Sequence, residues 1–184
     1  PKVHFMGIEG AGLSAVAKIA ASYGFEISGC DLKTGGHDIS HLENVDILAV
    51  TPAVYFLSKQ HPELVEGGRR GIIMTWQEFM GKYLHKGKFV ICIAGTHGKS
   101  TTTAMAGQLL QAARLDPTIE VGGDGSRFGK GKYFISEADE YYGNFLHYHP
   151  DIVILNNIEL DHPEYFGTFE KMLDTYAQFV SQIK

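Results

Sequence analysis

Cysteine, tryptophan and proline are scarce in this 184-residue chain, with two, one and six residues respectively. Two cysteines cannot build the cross-linked frame of a small secreted domain. Cys30 and Cys92 both fall in apolar, strand-like stretches, so they are expected to be buried, reduced core residues and neither a disulfide nor a metal site. No apolar run approaches the roughly 20 residues that span a bilayer. Gly7, Glu9 and Gly10 interrupt the first apolar stretch before it can serve as a signal-peptide core. A cytoplasmic protein with no membrane partner is the expectation. Runs of Lys and Arg are also missing, and the formal net charge is −5, which argues against a nucleic-acid partner. What remains is 44% hydrophobic and 20% charged, the balance of a globular protein with a real core.

Apolar runs alternate with helical patterns along the whole chain, which predicts an α/β protein with parallel sheets. Strands are expected at Val3–Met6, Phe25–Ser28, Asp46–Val50 and Gly71–Met74. Helices are expected at Leu13–Tyr23, with Val16, Ile19 and Ala20 inward, from His61 onward, and at Trp76–Tyr83. Thr51–Val54 reads as a turn and His85–Lys88 as a polar linker. Beyond it come strands at Phe89–Ala94, Thr118–Val121, Lys132–Ser136 and Asp151–Leu155. Helices are expected at Thr101–Ala113 and Glu170–Ile183, the latter with Met172, Leu173, Tyr176 and Val180 on one face. Gly122–Ser126 reads as a loop. Two connections are short. Only fourteen residues separate Asp31 from Asp46, whereas a strand–helix–strand crossover takes roughly thirty. The region of Gly123 is similarly clipped. Either the protein is trimmed at Thr34 and Gly123, or residues are omitted there.

The richest stretch is Phe89 to Thr103. A buried strand leads into Gly95-Thr96-His97-Gly98-Lys99-Ser100-Thr101, and a helix follows. Glycines let backbone N–H groups approach phosphate oxygens, Lys99 supplies a cation for the β- and γ-phosphates, and the Ser100 hydroxyl is placed for Mg²⁺. The helix start adds unpaired N–H groups and a positive dipole end. Only Thr96 and His97 separate Gly95 from the Gly98-Lys99 pair, so the loop is a tight variant of the P-loop.

Two further strand ends carry chemistry. Ser136-Glu137-Ala138-Asp139-Glu140 follows a strand, with Glu137 the best candidate metal ligand and Asp139 and Glu140 read as solvent-facing alternatives. Asn157-Ile158-Glu159-Leu160-Asp161-His162 follows another, and His162 is placed for a second Mg²⁺ or for the γ-phosphate. Parallel α/β sheets gather ligands at this edge. His147 and His149 read as loop surface. Near the N-terminus, Gly7-x-x-Gly10-x-Gly12 opens a helix after a strand. It resembles a dinucleotide fingerprint, but Glu9 occupies the middle-glycine place. Its backbone can still hold a diphosphate, and Asp31 ends the second strand where a ribose-binding acid often sits. A nicotinamide-dependent dehydrogenase is one reading of that half, but it leaves Lys99, Glu137 and His162 unused.

With Gly95–Thr103, Ser136–Glu140 and Asn157–His162 in this order, the chain resembles the Mur ligases. The opening His4-Phe-Met-Gly-Ile-Glu-Gly-Ala-Gly-Leu-Ser14 is similar to the members that act first on UDP-N-acetylmuramate, where a glycine usually stands in place of Glu9. The resemblance covers nearly all of the sequence. It implies a Rossmann-like N-terminal domain over 1–87 that binds the UDP-sugar at Gly7, Gly10, Ala11, Gly12 and Asp31. It also implies a P-loop-type ATPase domain over 88–184 with a mostly parallel sheet, apparently incomplete. The implied cofactors are ATP, wrapped by Gly95 to Thr101, and Mg²⁺. Ser100 and Glu137 would hold one ion, and Glu137 and His162 a second, with Asp161 orienting His162. The implied reaction joins L-alanine to UDP-N-acetylmuramate through an acyl phosphate. A recycling ligase that attaches a tripeptide to the same sugar nucleotide, or a nucleotide-binding fragment without activity, are the alternatives. Since the family carries a further C-terminal domain, the 184 residues alone are expected not to turn over.

Overall fold

Short β-branched runs separated by amphipathic helices wind the chain into two four-stranded sheets in which every strand pairing is parallel. The computed structural model describes residues 1–31, 36–57, 60–122 and 125–184. The short connections around Thr34 and Gly123 lie outside the described residues.

The first sheet has the order β2–β1–β3–β4, with β1 Lys2–Met6, β2 Glu26–Cys30, β3 Ile47–Val50 and β4 Ile73–Thr75. The second has the order β6–β7–β5–β8, with β5 Phe89–Ala94, β6 Thr118–Glu120, β7 Tyr133–Ala138 and β8 Ile152–Leu155. In each sheet the strand that feeds a glycine turn is internal. β1 lies between β2 and β3, and β5 lies between β7 and β8. The chain leaves such a strand toward one side and returns on the other, which opens a crevice at the strands' C-terminal ends.

Helix α1, Ala11–Ser22, lays Leu13, Val16, Ile19 and Ala20 on the first sheet, each 1% exposed or less. Each such large apolar side chain stabilises the fold by about 1.5–3 kcal/mol relative to exposure. This cluster continues through Phe79, Met80 and Leu84 to Val90, Phe134 and Tyr148, so one apolar core joins the two sheets. A smaller cluster of Met6, Leu42, Leu48, Val50 and Leu64 covers the other face of the first sheet.

Several local expectations are corrected. Thr51–Val54 is not a turn, because α2 begins at Pro52 and runs to Leu57. Proline suits a first helical position, and the Thr51 hydroxyl accepts the Val54 N–H at 3.3 Å. Helix α3, Pro62–Arg69, follows with His61 as its cap. The helix after β4 is α only over Trp76–Phe79 (α4) and then widens to a π turn over Met80–Leu84. His85 is not a solvated linker residue. Its ring is buried at the junction, 4.6 Å from that of Phe134 and 4.9 Å from that of Tyr148. Helix α5 spans Lys99–Ala112, and the short α6, Pro163–Phe166, precedes α7, Phe169–Val180. On α7 the inward stripe is Met172, Tyr176 and Phe179, whereas Leu173 and Val180 are 39% and 40% exposed. Phe179 takes the core place because it stacks on Phe145 at 4.3 Å. Cys30 and Cys92 are buried and free.

Candidate active site

β5 delivers Gly95 to the sheet edge in a conformation with φ of +131°, and Gly98 follows at +80° as the cap of α5. Side chains rarely adopt either value. A Cβ on Gly95 would also lie 2.9 Å from the Asn157 carbonyl oxygen. The first helical bond of α5 runs from Thr102 N–H to Gly98 C=O, at 3.0 Å. The N–H groups of Lys99, Ser100 and Thr101 therefore precede the helix ladder and point out of its start. The Thr96 and His97 N–H groups are already used, donating to the Asn157 backbone oxygen at 3.3 Å and to its Oδ1 at 2.9 Å.

Sequence reasoning missed this clamp. Asn156 and Asn157, the two residues after β8, both donate side-chain N–H bonds to the His97 carbonyl at 3.2 Å. The Thr96 hydroxyl bridges to the Glu159 backbone, donating to its carbonyl at 3.0 Å and accepting its N–H at 2.9 Å. The available signal was a pair of Asn residues at the end of an apolar strand beside the glycine loop.

Glu140 is the second miss. It is buried, with its side chain 1% exposed, and does not face solvent. Lys99 Nζ donates to Glu140 Oε2 at 3.1 Å and to the Gly95 carbonyl at 2.7 Å. Tyr176 stands beside this pair, and burial together with the Glu140 carboxylate raises its phenol well above the ordinary tyrosine value. Asp139 is structural, accepting from Tyr141 N–H and from Asn144.

Glu140, Asp161 and His162 bring ligand atoms within 4.8 Å of one another. His162 has a left-handed backbone (φ +51°) and stacks its ring on Tyr141 at 4.0 Å. Tyr142, next to that aromatic partner, is also left-handed (φ +54°). Strained residues of this kind cluster where the surrounding structure holds a functional geometry. Asp161 Oδ2 is 3.9 Å from His162 Nε2, an ion-pair distance only, while Glu164 Oε1 lies 3.3 Å from Nδ1.

Glu137 is a residue of β7, in register with Ile93 of β5, because the strand runs two residues past its expected end. It is not a member of the Glu140–Asp161–His162 group, and Ser100 sits exposed in the first turn of α5. One Glu137 carboxylate oxygen is buried without a hydrogen-bond partner. On the neighbouring strand, Glu120 is 2% exposed and also has an unpartnered oxygen. Burial first, and then the Glu137 charge, push the Glu120 carboxyl up to about 8. Glu120 is in register with Ser136, so its side chain and that of Glu137 lie on opposite faces of the sheet.

In the first sheet, Gly7 (φ +91°) ends β1, and its N–H donates to the Cys30 carbonyl at 2.8 Å. Gly10 caps α1, Ala11 opens it, and Gly12 packs under Trp76. Asp31 Oδ2 accepts the Glu9 N–H at 3.2 Å, so this acid ties down the turn, and the Glu9 side chain is exposed. Among the described residues, no helix is long and apolar enough to cross a membrane.

Two family models match the chain, the Mur ligase family catalytic domain over residues 2–87 and the Mur ligase middle domain over residues 93–184. A UDP-N-acetylmuramate–L-alanine ligase from Anaeromyxobacter sp. (strain Fw109-5) is 37% identical over 99% of the chain, and one from Geotalea daltonii is 34% identical over the same share. The chain spans 44% of the length of either relative. Among solved structures, a UDP-N-acetylmuramate:L-alanyl-gamma-D-glutamyl-meso-diaminopimelate ligase from Neisseria meningitides matches with a TM-score of 0.83 and 25% identity, over 100% of this chain and 68% of that one. A UDP-N-acetylmuramate-alanine ligase from Thermotoga maritima matches with a TM-score of 0.81 and 26% identity, over 99% of this chain and 47% of that one.

Proposed function

Because this chain belongs to the Mur ligase family, we propose that its two sheets hold the UDP-sugar and ATP for an amide-forming ligase that joins L-alanine to UDP-N-acetylmuramate. The observation that carries this reading is the convergence of Lys99, Glu140 and His162 on the N-terminus of α5, where free N–H groups face the crevice. In this reading residues 1–87 take the sugar nucleotide at the Gly7–Gly12 turn, with Asp31 fixing that turn. Residues 88–184 take ATP along Gly95–Thr101. The reaction belongs to the cytoplasm, where its nucleotide substrates are made.

The chemistry follows from charge. A lactyl carboxylate must attack the γ-phosphorus of a triphosphate and expel ADP, which brings two anions together. The amine of alanine then attacks the acyl carbonyl, loses a proton and expels phosphate. Lys99 and the amides of Lys99, Ser100 and Thr101 stabilise charge on the transferring phosphoryl group. Ser100, Glu137 and His162 would hold Mg²⁺, and the spare buried oxygen of Glu137 fits that role. Bound there, the ion would neutralise phosphate charge. Glu140 holds Lys99 against the loop until a phosphate competes for the ammonium.

The Neisseria neighbour favours a second reading, in which the acceptor is a peptide and not a single amino acid. The sugar nucleotide and the ATP site are common to both readings. Titration of the protein with UDP-N-acetylmuramate, ATP–Mg²⁺ and NADH tests the shared part. Binding of the first two at separate sites is expected. NADH binding without a response to the sugar nucleotide would overturn it. Comparing L-alanine with the tripeptide as the trigger of ADP release decides between acceptors.

A further inference from the structure

The covered face of the first sheet holds a second polar cluster, remote in sequence from the phosphate loop and unused by the proposed reaction. His4 of β1, Cys30 of β2, His41 of the 3₁₀ turn Ile39–Leu42 and Glu63 of α3 bring one ligand atom each within 4.8 Å of all the others. We propose that these four side chains form a closed site for a borderline-soft divalent cation, zinc by its chemistry.

The group is compact enough to close on one ion. Zinc bonds of about 2.0–2.3 Å to nitrogen, oxygen and sulfur place tetrahedral ligand atoms roughly 3.3–3.6 Å apart. His4 Nε2 lies 3.2 Å from Cys30 Sγ, Cys30 Sγ lies 3.5 Å from Glu63 Oε2, and His41 Nδ1 lies 2.9 Å from Glu63 Oε1. The remaining pairs lie within 4.8 Å, so adjustments of about an ångström bring the group to coordination distances.

The surroundings are also those of a metal site. His4 Nδ1 is 3.0 Å from the Ser28 hydroxyl. With Nδ1–H donating to that hydroxyl, Nε2 would keep its lone pair toward the cluster, the arrangement that outer partners give to ligating imidazoles. The Asp38 N–H donates to Glu63 Oε1 at 2.6 Å and fixes that carboxylate. His37 Nδ1 stands 2.9 Å from the Cys30 sulfur.

Charge supplies the independent argument. Glu63 is 0% exposed. Its side-chain partners among the described residues are Cys30 and His41, with no Lys or Arg. The described residues offer this buried carboxylate no Lys or Arg, and a divalent cation would supply a counter-charge. Hydrophobic neighbours Leu42 and Leu64 close the site, while His41, whose side chain is 34% exposed, leaves a path for entry. Four protein ligands fill a zinc sphere, so the role is structural. The ion would tie β1, β2 and α3 to the turn before β3. It would also hold the residue whose carbonyl receives the Gly7 and Ile8 N–H groups. Cys30 is then a ligand, contrary to the core role its apolar context suggested.

Cobalt spectroscopy tests the assignment. The purified protein is stripped with a chelator and titrated with Co²⁺. One equivalent is expected to give a thiolate-to-cobalt charge-transfer band with intense visible absorption of tetrahedral type, and Zn²⁺ should displace both. Cys30→Ser should abolish the charge-transfer band. His41→Ala, at a more exposed ligand, should weaken Zn²⁺ affinity at least about tenfold with unchanged far-ultraviolet circular dichroism, and serves if Cys30→Ser does not fold. Absence of the charge-transfer band at one equivalent, its persistence in Cys30→Ser, or unaltered Zn²⁺ affinity in His41→Ala would each overturn the proposal. Cobalt held only by Glu140, Asp161 and His162 would show no sulfur band and count against it.

Discussion

Lys99 Nζ sits 3.1 Å from Glu140 Oε2, and the pair is largely buried, with side chains 18% and 1% exposed. The lysine beside the glycine loop is thus held by a carboxylate from the neighbouring strand's end. In the proposed function two roles are joined in this contact, since Lys99 would serve the nucleotide and also neutralises Glu140.

That coupling separates binding from stability. Lys99→Ala should lower ATP affinity by about 10²-fold, since a charge-assisted hydrogen bond contributes roughly 1.5–3 kcal/mol. It should also destabilise the fold by about 3 kcal/mol by stranding a buried carboxylate. Adding Glu140→Gln should restore most of the stability and none of the ATP affinity. Urea denaturation and calorimetric titration of the two variants check this. UDP-sugar binding should survive in both, and its loss along with ATP would refute the division into two sites.

Glu120 should make stability fall as pH rises. Its carboxyl moves from an ordinary 4.5 to about 8 in the fold. The native state therefore holds a proton that the unfolded chain has released between those values. The stability this proton confers is intact below 4.5 and is lost as pH climbs through 8. Glu120→Gln removes the charge, so at pH 8–9 it should be more stable than the parent by on the order of 2 kcal/mol, roughly 5 °C in melting temperature. Near pH 4 the two should melt together. Thermal scans across pH, without divalent cations, measure the difference.

His85 acts in the opposite direction. Burial holds its imidazole down at about 3, against an ordinary 6.5. The unfolded chain gains a proton as pH falls through 6.5, and the folded chain resists until about 3, so stability drops over that window. Both ring nitrogens are buried without partners. His85→Phe, which keeps a ring against Phe134 and Tyr148, should flatten the acid limb and leave neutral-pH stability equal or higher. An acid melting series compares the two proteins.

Gly95→Ala should break the loop clamp. The new methyl meets the Asn157 carbonyl at 2.9 Å, and the residue is forced to a φ of +131°. Such backbone strain is on the order of 1–3 kcal/mol. Nucleotide binding should fall below detection. Asn157→Ala, which only removes the bonds to His97, should weaken binding by about tenfold, consistent with roughly 1 kcal/mol per hydrogen bond. Fluorescent-nucleotide titration ranks the two.

Periodicity revealed what local chemistry controls. The strands, the α1 face at Val16, Ile19 and Ala20, and the glycine loop ahead of α5 are all legible because burial period and turn chemistry are written in neighbouring residues. Failures came where distant chain segments compete. Nothing near Glu140 in sequence announces that Lys99, forty-one positions earlier, will neutralise it. Nothing near Leu173 shows that Phe179 will take the core place against Phe145. Thr51–Val54 turned helical because Pro52 starts a helix as readily as it makes a turn.

The order of residues alone determined an α/β protein with two glycine turns, one of them backed by a lysine, a hydroxyl and two acid-bearing strand ends. Those features depend on φ preferences, dipole ends and side-chain type, all of which act within a few residues. Only the tertiary structure decided which acid faces the lysine, which amides the Asn156–Asn157 pair consumes, and that His4, Cys30, His41 and Glu63 share one buried pocket. These are contacts across 22 to 60 positions of chain. They are set by strand order and register, which no local pattern encodes.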